Sequence, residues 1–197
     1  MFRVAALVLL GSVSLCGCTD RPKSVPLPSY APAATAQRAF AEYDKNKDGA
    51  LDADELAGCP ALKSFAKNEL KGAKLDVDAL QARLIRFQDA NVGILAVGLK
   101  VLRHGSPLVG ARVTFVPENF HGGAIKPATG ITDDHGSAQL KQEGAEFSGV
   151  APGFYRIQVS LKDAAGQETL PARFNSQTVL GEEVSPWNRG VVVNLDE

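Results

Sequence analysis

The hydrophobic pattern changes its period partway along the chain. Between about residues 35 and 93, apolar side chains recur every three or four positions, which predicts helices. Thr35 is expected to cap the first helix, and Pro60 to begin another, because its fixed φ suits a first turn. A longer helix is predicted over about 77–91. Its apolar face comprises Leu80, Leu84 and Phe87.

From Ile94 to the end of the chain, apolar and other residues alternate with a period of two. This pattern predicts strands whose alternate side chains face a core. Turn signals separate the runs, at 104–107, 133–136, 152–153 and 165–166. Short strands with regular turns and no helix between them favour an antiparallel β-sandwich of about seven strands over residues 94–197. The whole chain is therefore predicted to be α+β.

The N-terminal segment carries an export signal. Arg3 precedes an apolar stretch, 4–15, that is too short to span a membrane as a stable helix. The stretch leads into Leu-Cys-Gly-Cys at 15–18, which resembles the lipobox of bacterial lipoproteins. The resemblance implies that residues 1–17 are a cleaved signal peptide and that Cys18 is lipidated. An ordinary secretory signal is the alternative.

This resemblance also implies a location. The protein is expected to be exported and anchored by lipid to the bacterial cell envelope. The outer membrane is favoured over the inner one, because Thr19 follows the cysteine where the inner-membrane retention signal has Asp. After Cys18, residues 19–34 are rich in proline, so 18–34 is predicted to be a lipidated, extended linker.

Composition excludes some function classes. Lysine and arginine number 21 against 22 acidic residues, and this near-neutral balance gives no reason to expect nucleic acid as a partner. Without Cys16 and with Cys18 lipidated, Cys59 has no intrachain disulfide partner. We expect Cys59 to be a small buried hydrophobe.

The candidate chemistry lies in residues 44–55, which read Asp-Lys-Asn-Lys-Asp-Gly-Ala-Leu-Asp-Ala-Asp-Glu. Calcium takes roughly six to eight oxygen ligands, and an EF-hand loop supplies them from fixed positions. Gly49 stands where that loop bends sharply. The alternative is a solvated acidic turn. The predicted ligands for Ca²⁺ are Asp44, Asn46, Asp48, Ala50 through its carbonyl, Asp52 and Glu55.

A second, degenerate loop is predicted, since EF-hands normally pair. Aligning Leu75 with Leu51 places this loop at residues 68–79. Its bend position holds Ala73 and its last ligand position holds Ala79, so it is expected to pack against the first loop without binding metal. Residues 35–93 would then form an EF-hand pair. The alternative is that these helices cap the first loop without EF-hand ancestry.

The second half of the chain resembles a known family. The segments 105–115, 132–136 and 150–157, in this order, resemble the carboxypeptidase regulatory-like, transthyretin-related domains of bacterial lipoproteins. The resemblance implies a structural or adhesive sandwich that is not catalytic. The loop 117–127 is expected to expose aromatic residues and is a candidate recognition loop.

These patterns together predict a calcium-binding, lipid-anchored exported protein with a structural or adhesive role. No catalysis is expected, because no nucleophile–base or acid–base constellation is present in the sequence. The alternatives are a module that binds carbohydrate or another envelope ligand, or an accessory subunit of an envelope complex. The expected partners are the membrane, through the lipid anchor, and an envelope protein or polysaccharide.

Overall fold

Helices occupy the first half of the described chain and strands most of the second, which confirms the α+β class. The computed structural model describes residues 25–196, so the predicted signal peptide, Cys18 and the start of the linker lie outside the described residues. The helices are α1 (Pro32–Tyr43), α2 (Ala53–Leu56), α3 (Pro60–Glu69) and α4 (Val77–Asp89). The strands are β1 (Ala50–Leu51), β2 (Leu75–Asp76), β3 (Gly98–Arg103), β4 (Ser106–Pro107), β5 (Arg112–Pro117), β6 (Ala128–Ile131), β7 (Ser137–Ala138), β8 (Lys141–Gln142), β9 (Gly153–Ser160), β10 (Gly181–Val184) and β11 (Gly190–Asn194).

Within residues 25–196 the strands form three sheets. Strands β1 and β2 pair in the helical half, and an antiparallel sheet has the order β10-β9-β5-β6-β8. The remaining sheet has the order β11-β3-β4, with β7 also on β3. In it, β11 runs parallel to β3, with Gly190 opposite Gly98, so the expectation of wholly antiparallel strands is wrong there. Alternation with a period of two is the same for both strand directions, which is why it could not reveal this pairing.

The helical half and the sheets share one hydrophobic core, and Phe154 at the start of β9 lies where they meet. Its ring centroid lies 5.6 Å from those of Phe65 in α3 and Phe87 in α4. Phe120, in the loop after β5, lies 6.0 Å away. Buried residues on both sides of the predicted boundary at residues 93 and 94 belong to the same apolar cluster. The two halves are therefore packed together through aromatic side chains.

The start of α1 differs from the prediction. The helix begins at Pro32, and Thr35 is buried within it instead of capping it. Proline suits a first turn because its missing N–H has no helical partner there. Just before the helix, Tyr30 is buried and its hydroxyl donates a hydrogen bond to the carbonyl of Pro152. The predicted linker 18–34 is therefore wrong at its end, which packs against the fold.

The other helix predictions are confirmed. Pro60 is the first residue of α3, and the predicted helix over 77–91 is α4. None of the helices within residues 25–196 has the length and apolar content that a membrane-crossing helix needs. The predicted apolar face of α4 is buried, namely Leu80, Leu84 and Phe87, and so are Leu62, Phe65 and Ala66 of α3.

The loop 117–127 does not expose its aromatic residues, so that expectation is wrong. Phe120 and His121 lie in a short 3₁₀ helix and are each 1% exposed. Arg38 of α1 donates from Nε to the Phe120 carbonyl at 2.8 Å, and the backbone N–H of Phe154 donates to His121 Nε2 at 3.0 Å. These contacts with α1 and β9 hold the aromatic side chains inward. The polar residues around them in the sequence do not indicate this burial.

A buried ion pair also joins the two halves. Arg83 of α4 lies 2.7 Å from Glu183 of β10, measured from Nη2 to Oε1, and both side chains are 4% exposed. The Arg83 guanidinium also lies over the rings of Phe65 and Trp187. Burial raises the pKa of the Glu183 carboxyl above its usual range, although Arg83 opposes this effect. A charge removed from this pair would leave its partner buried and uncompensated.

Replacing Arg83 with Met should lower the free energy of unfolding by about 3–5 kcal/mol, because Glu183 loses its partner inside the core. Arg86→Met is the matched control, since Arg86 lies on the same helix with its guanidinium over the half-exposed Trp187 ring. That control should cost about 1 kcal/mol or less. Urea unfolding of both variants measures the difference. Equal losses would show that the ion pair does not hold the halves together.

Stability should also depend on pH through His121. Burial, together with the positive charge of nearby Arg38, lowers the pKa of this imidazole to about 3. The unfolded chain binds a proton near pH 6.5, so the stability that the neutral imidazole provides is present above this pH and is lost as the pH falls towards 3. Between pH 7 and pH 5, the wild type should lose about 2 kcal/mol more than His121→Gln, measured by urea unfolding. A parallel decline in both proteins would refute this assignment.

Candidate metal centre

The candidate loop lies between α1, which ends at Tyr43, and α2, which begins at Ala53. Asp52 caps α2, since its side chain accepts hydrogen bonds from the backbone N–H groups of Asp54 at 3.0 Å and Glu55 at 3.1 Å. Glu55 Oε2 in turn accepts from the Asp52 backbone N–H at 3.1 Å. This reciprocal capping box fixes the last two predicted ligand positions relative to each other.

The first half of the loop is folded by its own carboxylate and amide groups. Asn46 Oδ1 accepts from the Asp48 backbone N–H at 2.8 Å, and Asp48 Oδ1 accepts from Ala50 at 2.9 Å. Asp44 Oδ2 accepts from Gly49 at 3.0 Å. Gly49 has a φ of 82°, the left-handed conformation expected of the bend position. Each of these three side chains therefore uses one oxygen to shape the backbone.

Asp44 Oδ1 takes no part in this network. It is buried and has no hydrogen-bond partner among the described residues. A buried polar atom without a partner is costly, and a carboxylate oxygen is costlier still. A cation beside Asp44 would remove this cost. The donor set of four carboxylates and one amide consists of hard oxygen groups, which is the chemistry that calcium and magnesium prefer.

Two of the predicted ligands are engaged elsewhere. Glu55 Oε1 accepts from the backbone N–H groups of Lys45 at 2.8 Å and Asn46 at 3.2 Å. Asp48 Oδ2 lies 3.1 Å from the ammonium group of Lys74. Among residues 25–196, no group of three or more His, Cys, Asp or Glu side chains is placed to hold a metal ion as it stands. Glu55 and Asp48 would have to exchange partners for the loop oxygens to converge.

The second helix–loop–helix unit pairs with the first in the register that the sequence alignment predicts. Leu75 lies opposite Leu51, in the antiparallel pair of β1 and β2. The bend is formed by Lys71 and Gly72, which have φ values of 53° and 81°, and not at the aligned position 73. Asp76 Oδ1 accepts from the Ala79 backbone N–H at 2.7 Å and so caps α4. Asp76 Oδ1 thus stabilises its own helix.

A buried polar cluster beside the loop was not predicted. Tyr43, next to the first ligand position, donates to Glu118 Oε2 at 3.4 Å and accepts from Arg156 Nη2 at 3.1 Å. Arg156 Nε donates to the same Glu118 oxygen at 2.8 Å. Burial raises the pKa of the Glu118 carboxyl above its usual range, with Arg156 opposing the effect. The sequence signal was Arg156 itself, a charged residue between apolar neighbours in a central strand, which requires a partner.

Several other polar and thiol groups stabilise the structure. Cys59 is a free, buried thiol, as predicted, and burial raises its pKa above the usual range. Asp133 Oδ1 accepts from the backbone N–H groups of His135 at 2.8 Å and Ser137 at 2.9 Å, so it stabilises a turn. His104 contacts Asp196, whereas His121 is packed in the core.

The six predicted ligand residues thus lie in the segment between α1 and the end of α2. Lys74 of the neighbouring loop contacts one of them, Asp48. The predicted lipidation site, Cys18, lies outside the described residues. No protein-family model, no curated protein and no solved structure matches this chain.

Proposed function

We propose that this chain binds one calcium ion in the loop 44–55 and acts as a lipid-anchored, exported protein with a structural or adhesive role and no catalysis of its own. The observation that carries the proposal is the buried, partnerless Asp44 Oδ1 in a loop that its own side chains have already shaped. The ligands would be Asp44, Asn46, Asp48, the Ala50 carbonyl, Asp52 and Glu55.

The charge of the donor set supports calcium. Four carboxylates within twelve residues repel one another, and a bound divalent ion would offset that repulsion. Binding mainly requires Asp48 Oδ2 to leave Lys74 and Glu55 Oε1 to leave the backbone N–H groups of the loop. Exported EF-hand loops commonly need dissociation constants of only about 10⁻⁴–10⁻³ M, and a site that must exchange two partners fits this range.

A structural role is supported by what adjoins the loop. Tyr43 precedes the first ligand, and its hydroxyl contacts Glu118 and Arg156 at the sheet. A cation that orders Asp44 would therefore also hold the end of α1 against β9. We propose on the same basis that the two paired helix–loop–helix units are an EF-hand pair, and that β3–β11 form a transthyretin-related sandwich. The two sheets, whose alternate residues are buried, support the latter.

The proposal of a ligand-binding module has narrower support. The aromatic residues of loop 117–127 are buried and no longer favour it. What favours it is Trp187, whose ring is 49% exposed and lies 4.2 Å from the guanidinium carbon of Arg86. A half-exposed aromatic side chain of this kind can contact a sugar ring, although the guanidinium groups of Arg83 and Arg86 lie over it.

Calcium titration of the purified mature protein by calorimetry should show one site. Calcium at about 100 times the dissociation constant should stabilise the fold by about 2.7 kcal/mol and raise the melting temperature by about 5–10 °C. Glu55→Gln should abolish both effects, because it removes a ligand charge. Asp54→Asn, a neighbouring carboxylate at a non-ligand position, is the control and should bind like the wild type. Two sites, or none, would contradict the proposal.

The lipid anchor is tested by phase partitioning of the full-length protein in a detergent that separates on warming. The wild type should enter the detergent phase, because two or more acyl chains anchor stably. Cys18→Ser should stay in the aqueous phase, whereas Cys16→Ser should behave like the wild type. Aqueous partitioning of the wild type would favour the ordinary secretory signal.

A further inference from the structure

We propose that Lys74 acts as an internal competitor for the cation site, and that its ammonium group must leave Asp48 before that side chain can take part in binding a divalent ion. The inference rests on the proposed calcium function and concerns how tightly the same loop binds. It assigns to the degenerate second loop a role beyond packing, since that loop supplies the competing charge.

The pairing of the two loops brings Lys74 to the site. Ala50 lies opposite Asp76 and Leu51 opposite Leu75 in the antiparallel β1–β2 pair. Lys74 directly precedes β2, and Asp52, a predicted ligand, directly follows β1, so the strand pair brings the two residues to the same end. From there the Lys74 side chain reaches Asp48 in the same loop, with 3.1 Å between Nζ and Oδ2. Its position is therefore fixed by the strand pair and not by a chance surface encounter.

Lys74 pairs with the Asp48 carboxylate oxygen that does not bind the loop backbone. Asp48 Oδ1 accepts from the Ala50 backbone N–H at 2.9 Å and shapes the turn. Asp48 Oδ2 is then the oxygen of this side chain that can face a cation, and it is paired with the ammonium group. Lys45, within the loop, directs its own ammonium group to the Glu42 carbonyl. Lys74, and not Lys45, thus pairs with a predicted ligand oxygen.

The pair is suited to exchange. The side chains of Lys74 and Asp48 are 59% and 42% exposed, so water surrounds the contact and weakens it. A buried pair would block the site, but an exposed one lowers affinity by a modest factor. Before binding, Lys74 also offsets part of the repulsion among the loop carboxylates, which helps the loop to keep its shape. The site is therefore expected to need a higher calcium concentration for binding than it would need without Lys74.

Lys74→Gln should therefore bind calcium about two- to fivefold more tightly than the wild type, because it removes an exposed ionic competitor and a like charge. Lys74→Arg keeps the charge and should stay within about twofold of the wild type. Lys141→Gln makes the same change of net charge on the exposed side of β8 and is the matched control, with unchanged affinity expected. Calorimetry at constant pH and ionic strength measures all four proteins.

A second readout follows Lys74 directly. Amine-labelling of the wild type, quantified by mass spectrometry at fixed pH, should be faster at Lys74 with calcium than without, because calcium releases the ammonium group from Asp48. Labelling of Lys141 should not change. Glu55→Gln should show no calcium effect at Lys74, since it does not bind the ion.

The outcomes separate the two proposals. If the wild type binds no calcium, the proposed function fails. If the wild type binds calcium but Lys74→Gln binds with equal or lower affinity, the function stands and the role of Lys74 is overturned. Calcium-independent labelling of Lys74 in a protein that binds calcium would also overturn it. Tighter binding by Lys74→Gln, together with calcium-dependent labelling, supports it.

Discussion

The packing of Phe154 against aromatic residues from three directions is the interaction on which the rest of the structure depends. Phe65, Phe87 and Phe120 bring α3, α4 and the loop after β5 to this ring. Because water is excluded around it, every nearby polar group needs a protein partner. The Arg83–Glu183 pair and the hydrogen bond of His121 to the Phe154 backbone follow from this requirement. The buried ion pair and this hydrogen bond therefore supply the polar partners that the surrounding core requires.

The candidate metal loop is connected to the Phe154 packing indirectly, through Tyr43. Tyr43 ends α1 and reaches Glu118 and Arg156, and Glu118 directly precedes the 3₁₀ helix that carries Phe120. The start of the loop is therefore attached to the core through the end of α1. Its partner unit serves two purposes in our proposal, since β2 supports the loop through the strand pair and Lys74 moderates its charge.

Sequence predicted the features that depend on local chemistry and missed those that depend on distant contacts. The α+β class, the start of α3 and the register of Leu51 with Leu75 follow from periodicity, from proline and from loop spacing. The parallel direction of β11 does not follow, because alternation is identical in both directions. Phe120 stands among polar residues, so only its contact with α1 and β9 reveals that it is buried. The contact of Lys74 with Asp48 depends on the pairing of β1 with β2 and does not follow from sequence spacing.

The parallel pairing of β11 with β3 has a consequence for the order in which the fold is made. Gly98 and Gly190 are partners separated by roughly 90 residues, and distant partners meet late because closing a long loop costs entropy. The pairing of β1 with β2 and the packing of α1 on α4 join residues that are closer in the chain and can form earlier, whereas α3 packs on the distant strand β10. Strand β3 must instead wait for β11. During that interval the edge of β3 lies open to other strands, and once β11 has paired with it, β11 forms the outer edge of the sheet.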